Sequence, residues 1–280
     1  MTNTFTAYHI DCSTDDSDIL LALLADDGFD SFQETDSGLI AYAVSDRHQH
    51  WVEVLDDLKQ RISFTYRAEE MEVKNWNEVW ESAFTPIRID DRLSLRAHFH
   101  PPVDGVAHDL VIDPKMSFGT GHHATTHMMC ELLFEHFAED PKEGQRFLDY
   151  GCGTGVLAIL AKRLGASEVD AVDIEPWAIE NTEENAAAND VALKRLVVGT
   201  LDEIISGTPY DVVLANINRN VLLASAEALR DNIRVGGRVY LSGILLQDEK
   251  RVVEHYGQTG FQHLRTVARE DWRAAVFIRE

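Results

Sequence analysis

Apolar positions in this chain recur with two periods, and the changes from one to the other mark the elements. Phe5–Ile10 alternates weakly, as a half-buried strand does. Asp16–Ala25 reads as a helix with Asp or Ser near its start. Phe32–Val44, broken at Ser37-Gly38, reads as two short strands. Trp51, Val54, Leu55 and Leu58 share one helical face within His50–Arg61, and Ile62–Tyr66 reads as a closing strand. The order β-α-β-β-α-β predicts a small ferredoxin-like α+β domain over residues 1–66. Residues 67–85 are expected to form a linker helix, with Trp76, Val79 and Trp80 on one face and Pro86 just beyond.

Three strand-like runs follow, Ile87–Ile89, Leu93–Leu95 and Leu110–Ile112, around a Pro101-Pro102 loop. From about residue 123 helices and strands alternate. Helices are predicted at His123–Phe137, Val156–Leu164, Pro176–Ala188, Val221–Arg230 and Leu246–Gly257. Strands are predicted at Arg146–Asp149, Val169–Asp173, Arg195–Val198, Tyr210–Ala215 and Arg238–Leu241, the last after a Gly236-Gly237 turn. Phe261–Ile278 holds two more. Such alternation predicts an α/β domain over 86–280 with a doubly wound, mostly parallel sheet of Rossmann-like type.

The chain has 280 residues, 45% hydrophobic and 26% charged, which are globular proportions. Its formal charge of −23 argues against tight, phosphate-driven nucleic-acid binding, which needs a basic face. Residues 1–70 carry 4 basic against 15 acidic side chains, a net −11, so the front quarter is disproportionately acidic. Cys12, Cys130 and Cys152 are too few and too scattered for a disulfide framework or a zinc site. Met1-Thr-Asn-Thr-Phe5 lacks a signal peptide's basic start and apolar core. No apolar run approaches the roughly 20 residues of a membrane span. A reducing, cytoplasmic setting with no membrane partner is expected.

The densest chemical signal is Asp149-Tyr-Gly-Cys-Gly-Thr-Gly155, between a predicted strand and a predicted helix. Gly151, Gly153 and Gly155 let the backbone turn sharply and approach a ligand. The spacing is neither that of a dinucleotide fingerprint nor that of a P-loop. It resembles the turn of S-adenosylmethionine (AdoMet) methyltransferases; read blandly, it is a generic strand-to-helix turn. Asp173 ends the next strand, where a carboxylate can accept hydrogen bonds from both ribose hydroxyls. It could equally cap the following helix. Asn216, at the end of a later strand, would sit beside a transferable methyl and orient an attacking amine, alone or with the Ile217 carbonyl; alternatively it is a polar cap on a buried strand. Met116–Thr126, with two glycines and three threonines, offers backbone and hydroxyl groups at a helix start.

Weaker signals read more plainly. His98 and His100 share one strand face but have no third ligand nearby, so no metal is expected. His122 and His123 lie in the glycine loop, and one of them could line the site. Trp76 and Trp80 read as linker packing, and Cys152 as a small packing residue.

Taken together these motifs resemble the ribosomal protein L-eleven (L11) methyltransferase family of bacteria. Phe118-Gly-Thr-Gly-His-His-Ala-Thr-Thr126 is similar to the family's F-G-T-G-x-H-x-T-T, and Asp149–Gly155 to its D-x-G-C-G-[ST]-G. Asp173-Ile-Glu-Pro176, Ala215-Asn-Ile217 and Leu241-Ser-Gly-Ile-Leu245 are similar to D-I-D-P, A-N-I and L-S-G-I-L. Trp76–Ile89 resembles the family's linker. Ala124 stands where many members have Pro, and Glu175 where Asp is commoner.

The resemblance implies AdoMet-dependent N-methylation of L11 amino groups, lysine side chains or the N-terminal amine, by a two-domain protein. Its front domain would recognise the basic substrate, and its linker would let that domain move. Position by position, the resemblance implies AdoMet contacts for Thr126, Gly151, Asp173 and Asn216. Phe118 and Gly119 would lie in the same site, with Gly153 and Gly155 completing the turn and Asn216 serving the chemistry. A small-molecule amine methyltransferase and a non-catalytic AdoMet-binding module are the alternatives. The strand end Asn216-Ile-Asn-Arg219 lacks the proline and aromatic residue that stack a base or planar amide in glutamine and DNA-adenine methyltransferases.

Overall fold

The computed structural model describes residues 5–35, 37–70, 85–113, 115, 118–140, 144–205 and 207–280. The chain divides into two compact units, Met1–Ala83 and Phe84–Glu280.

The first unit holds β1 (Phe5–Asp11), α1 (Thr14–Asp26), β2 (Ser31–Thr35), β3 (Gly38–Val44), α2 (His48–Leu58) and β4 (Thr65–Glu70). Its antiparallel sheet runs β2-β3-β1-β4, the ferredoxin-like order. Tyr8, Ile10, Leu39 and Ala41 from the sheet meet Leu20, Leu24, Trp51 and Leu55 from the helices in one core. Strand β4 begins three residues later than the apolar run suggests and continues to Glu70. Pairing with β1, from Asp11↔Thr65 to Thr6↔Glu70, extends it into a mostly exposed, charged stretch. The linker-helix reading with Trp76, Val79 and Trp80 falls at 71–84, outside the described residues.

The second unit opens with a three-stranded sheet, β5 (Ile87–Ile89), β6 (Leu93–Arg96) and β7 (His108–Val111). Then α3 (Ala124–Glu139) leads into a seven-stranded sheet. Its strands are β8 (Arg146–Tyr150), β9 (Glu168–Asp173), β10 (Arg195–Val198), β11 (Tyr210–Asn216), β12 (Ile233–Leu245), β13 (Phe261–Arg269) and β14 (Trp272–Arg279). The helices between them are α4 (Val156–Leu164), α5 (Pro176–Ala188), the short α6 (Leu201–Ile204), α7 (Arg219–Asn232) and α8 (Glu249–Gln258).

The strand order is β10-β9-β8-β11-β12-β14-β13, with the first five parallel and the last two antiparallel to their neighbours. Winding therefore reverses between β8 and β11, and a doubly wound sheet binds its ligand beyond the strand ends at such a switch. Two apolar clusters flank the sheet, one built around Met129, Phe147 and Ile159, the other around Tyr210, Leu222 and Tyr256.

Strand β12 departs from the sequence reading. It does not begin after Gly236-Gly237 but runs through them from Ile233. Pairing with β11 jumps from Tyr210↔Ile233 to Val212↔Arg238, so the glycines form a bulge inside the ladder. Gly236 has φ +74°, and a Cβ on Gly237 would lie 2.6 Å from Ile233 Cγ1.

Candidate active site

Strand register aligns the site. Val172 pairs with Tyr150 and Tyr150 with Ala215, so Asp173, Gly151 and Asn216 come one step later along three neighbouring strands. Asn216 is level with Ser242 of β12. Beyond this row lies a cleft of about 560 Å³. Phe118, Gly151, Gly153, Asp173, Asn216 and Trp177 are on its wall, with His123, Ile217, Gly243 and Trp272.

The glycine turn is shaped by what glycine omits. Gly151, Gly153 and Gly155 have φ of +76°, +56° and +77°, in the left-handed region that favours glycine. A Cβ on Gly151 would lie 2.2 Å from Ile217 Cγ2, and one on Gly153 would lie 2.2 Å from the Phe118 carbonyl oxygen. Thr154 fastens the 118–119 loop to the turn. Its N–H donates to the Phe118 carbonyl at 3.0 Å and its hydroxyl to the Gly119 carbonyl at 2.8 Å.

Asp173 is half-buried, and each carboxylate oxygen accepts one backbone N–H. Gly153 donates to Oδ2 at 3.0 Å and Glu175 to Oδ1 at 3.1 Å. The residue thus ties the turn to the start of α5, and each oxygen retains acceptor capacity. Asn216 Nδ2 donates to Thr126 Oγ1 at 3.3 Å, while Asn216 Oδ1 is buried without a partner among the described residues.

Asp149 stands behind the turn. Its Oδ2 accepts the Ala158 N–H at 3.0 Å, capping the first turn of α4. Burial pushes its carboxyl up to about 7, the Ala158 bond opposes that, and the Asp173 charge adds to it. Its stabilising contribution is therefore complete below the ordinary carboxylate range and is lost as pH rises through about 7. Asp149→Asn retains an acceptor for Ala158 and removes the buried charge. In ligand-free protein its Tm advantage over the parent should widen by about 5 °C from pH 5 to pH 8. A constant difference across that range would show that Asp149 titrates as an ordinary carboxylate.

Of the residues expected from sequence, the cleft gathers Phe118, Gly151, Gly153, Asp173 and Asn216. Gly119, Gly155 and Thr126 are not on its wall. Gly119 receives Thr154, Gly155 at the start of α4 faces Thr182 of α5, and Thr126 Oγ1 accepts a hydrogen bond from Asn216 Nδ2. Met116 and Ser117 lie outside the described residues. Sequence reading missed Ile174, Trp177 and Trp272. Trp177 follows Pro176 in the first turn of α5 and is 46% exposed, unusual for so large an apolar side chain. Trp272, from the β13–β14 hairpin, places its ring 4.7 Å from that of His123, which lies 5.1 Å from Phe118.

Of the weaker candidates, His123 is on the cleft wall, and His98, His100 and Cys152 are not. His98 Nδ1 meets Asp113 at 2.9 Å, and His100 Nδ1 accepts the Ala97 N–H. Among the described residues no group of three or more His, Cys, Asp or Glu could hold a metal ion. Cys152 is buried against Thr182, and burial pushes its thiol well up, away from a nucleophile's range.

These donors and spaces suit AdoMet. The glycine turn keeps side chains out of the ligand's way, Asp173 can take ribose hydroxyls, and exposed Ile174 and Trp177 offer apolar surface. Asn216 lies on the same wall, its buried Oδ1 unpartnered among the described residues. The fold and cleft define a Rossmann-like AdoMet-dependent methyltransferase.

The model for the family described as ribosomal protein L11 methyltransferase (PrmA) matches residues 16–280, and the chain belongs to that family. It is 39% identical to a ribosomal protein L11 methyltransferase of Porphyromonas gingivalis, over 93% of this chain and 90% of the relative. With that of Bacteroides thetaiotaomicron it shares 34% identity over 98% of each. A crystal structure of ribosomal protein L11 methylase from Lactobacillus delbrueckii subsp. bulgaricus aligns with TM-score 0.63 and 26% identity. That alignment covers 70% of this chain and 100% of the other.

Proposed function

We propose that this chain transfers methyl groups from AdoMet to amino groups of ribosomal protein L11, on lysine side chains, the N-terminal amine or both. One observation carries the chemistry: Asn216, whose buried Oδ1 has no hydrogen-bond partner among the described residues, lies on the cleft wall that also bears Asp173. The names of the relatives supply the substrate.

Bound AdoMet supplies a methyl already activated on a sulfonium, so the protein's work is alignment. Asp173 accepts from the ribose, and Gly151 and Gly153 present bare backbone to the ligand. Asn216 Oδ1 accepts an N–H of the incoming amine and fixes its direction of attack. A free lysine amine has a pKa of roughly 10.4 and must shed a proton first. Beside a sulfonium cation a second positive charge is disfavoured, which would favour the neutral amine.

The front unit, whose sheet ends with β4 at Glu70, is inferred to recognise L11, with the stretch that follows, up to 85, as the link to the catalytic unit at 86–280. A net −11 over residues 1–70 suits a basic protein partner. We infer a cytoplasmic site of action, where such a substrate is made. Among the described residues no helix is long and apolar enough to cross a membrane.

Incubating the purified protein with methyl-labelled AdoMet and L11 is expected to place label in L11, and peptide mass spectrometry to locate it on amines. Unlabelled L11 alongside efficient transfer to a small amine would replace the substrate and keep the chemistry.

A further inference from the structure

Helix α1 of the front unit is apolar on both faces. Leu20 and Leu24 are fully buried in the core, as an amphipathic helix requires. Ile19 and Leu23, one turn apart, face the other way and are 51% and 40% exposed. Among the described residues of the front unit, no other large apolar side chain is left so open. Aspartates bracket this ridge. Asp16 stands three residues before Ile19, and Asp26 and Asp27 stand three and four residues after Leu23, the spacings that share a helix face. Asp16 has a local use, since it accepts Ser13 Oγ at 2.6 Å and suits the positive end of the helix dipole. Asp26 and Asp27 oppose the dipole at the other end, and no basic residue offsets them in the last turn. Local structure therefore does not account for them.

We propose that the outward face of α1 is the surface on which the front unit docks ribosomal protein L11. Ile19 and Leu23 meet an apolar spot on a basic surface, and the aspartates pair with the cations around it. The inference rests on L11 being the substrate. Charge selects this occupant over the others. A second copy would set −11 against −11 over residues 1–70, and residues 71–84 of this chain carry three Glu and one Lys. Both are acidic and repelled by the ends of the ridge. A basic protein is drawn to the same ends and covers the apolar pair between them.

Label transfer to L11 by the full-length protein separates docking from chemistry. Ile19→Gln combined with Leu23→Gln keeps helix propensity and removes the ridge. Its KM for L11 should rise about tenfold, with kcat and AdoMet affinity within about twofold of the parent. Asp26→Asn combined with Asp27→Asn should raise that KM about threefold at low salt and by much less at about 0.5 M salt, where surface charges are screened. The Tm of this second variant should hold or rise, because the acids no longer oppose the dipole. Weaker substrate binding by a protein that is no less stable is a pattern that a merely structural role does not give.

A parental KM in the glutamine variant would overturn the proposal. So would a fall in kcat at constant KM, or equal loss of AdoMet affinity. A parent dimer that the glutamine variant dissolves would make a second copy the occupant and also overturn it. If the glutamine variant does not fold, Leu23→Ala carries the same comparison. A parent that leaves L11 unlabelled refutes the substrate and the docking face together, whereas a parental KM in the variants refutes the face alone.

Discussion

Asp173→Ala is expected to weaken AdoMet binding roughly 100-fold, about 3 kcal/mol, as two charge-assisted hydrogen bonds to ribose are lost. The residue does two jobs. It offers spare acceptor capacity at the strand end, and it ties Gly153 and Glu175 together through its two oxygens. Asp173→Asn separates these jobs. It keeps one acceptor and the side-chain shape but loses the charge, so its affinity should fall between alanine and parent. Calorimetric titration with AdoMet measures all three proteins. Parental affinity in Asp173→Ala would remove the ribose from this strand end and leave Asp173 as a cap on α5.

Gly153→Ala should be at least as damaging, for a reason unrelated to hydrogen bonding by side chains. The new Cβ would lie 2.2 Å from the Phe118 carbonyl oxygen, at a backbone φ of +56°. Backbone on both sides leaves no flexible group to yield. The 118–119 loop must therefore leave the turn, breaking both bonds from Thr154. The expected result is loss of measurable AdoMet binding, with a Tm lowered by about 4 °C or more for each 2 kcal/mol of strain. Gly144→Ala is the matched control. It also has positive φ, +84°, but a Cβ there would meet nothing within 4 Å among the described residues. It should show backbone strain alone and bind AdoMet as the parent does. Equal behaviour of the two variants would refute the close approach as the reason for glycine at 153.

Much of this architecture was legible because its signals are local. Glycines at 151, 153 and 155, Pro176 at a helix start and alternating helix and strand lie within short windows, and the structure places them as read. What escaped depends on partners distant in sequence. The bulge in β12 exists because β11 pairs on both sides of Gly236-Gly237, which a single strand cannot reveal. β4 extends to Glu70 because β1 offers it a ladder, not because its residues favour strand. Trp272 reaches the cleft through a hairpin about a hundred residues beyond Asp173, with no motif around it. The hydrogen bond between Thr126 and Asn216 joins residues 90 positions apart, and only the fold shows it.

The placing of β14 also bears on when activity can begin. It follows β13 in the chain, yet it lies between β12 and β13 in the sheet. A chain growing from its N-terminus therefore delivers β13 before the strand that joins it to the sheet. The same late segment carries Trp272 to the cleft wall. A nascent chain can close its small front unit early, but the catalytic sheet remains short of its middle antiparallel strand until Trp272–Arg279 has left the exit tunnel. The catalytic sheet of a protein whose relatives modify a ribosomal component is thus joined across β13 only after β14 has emerged.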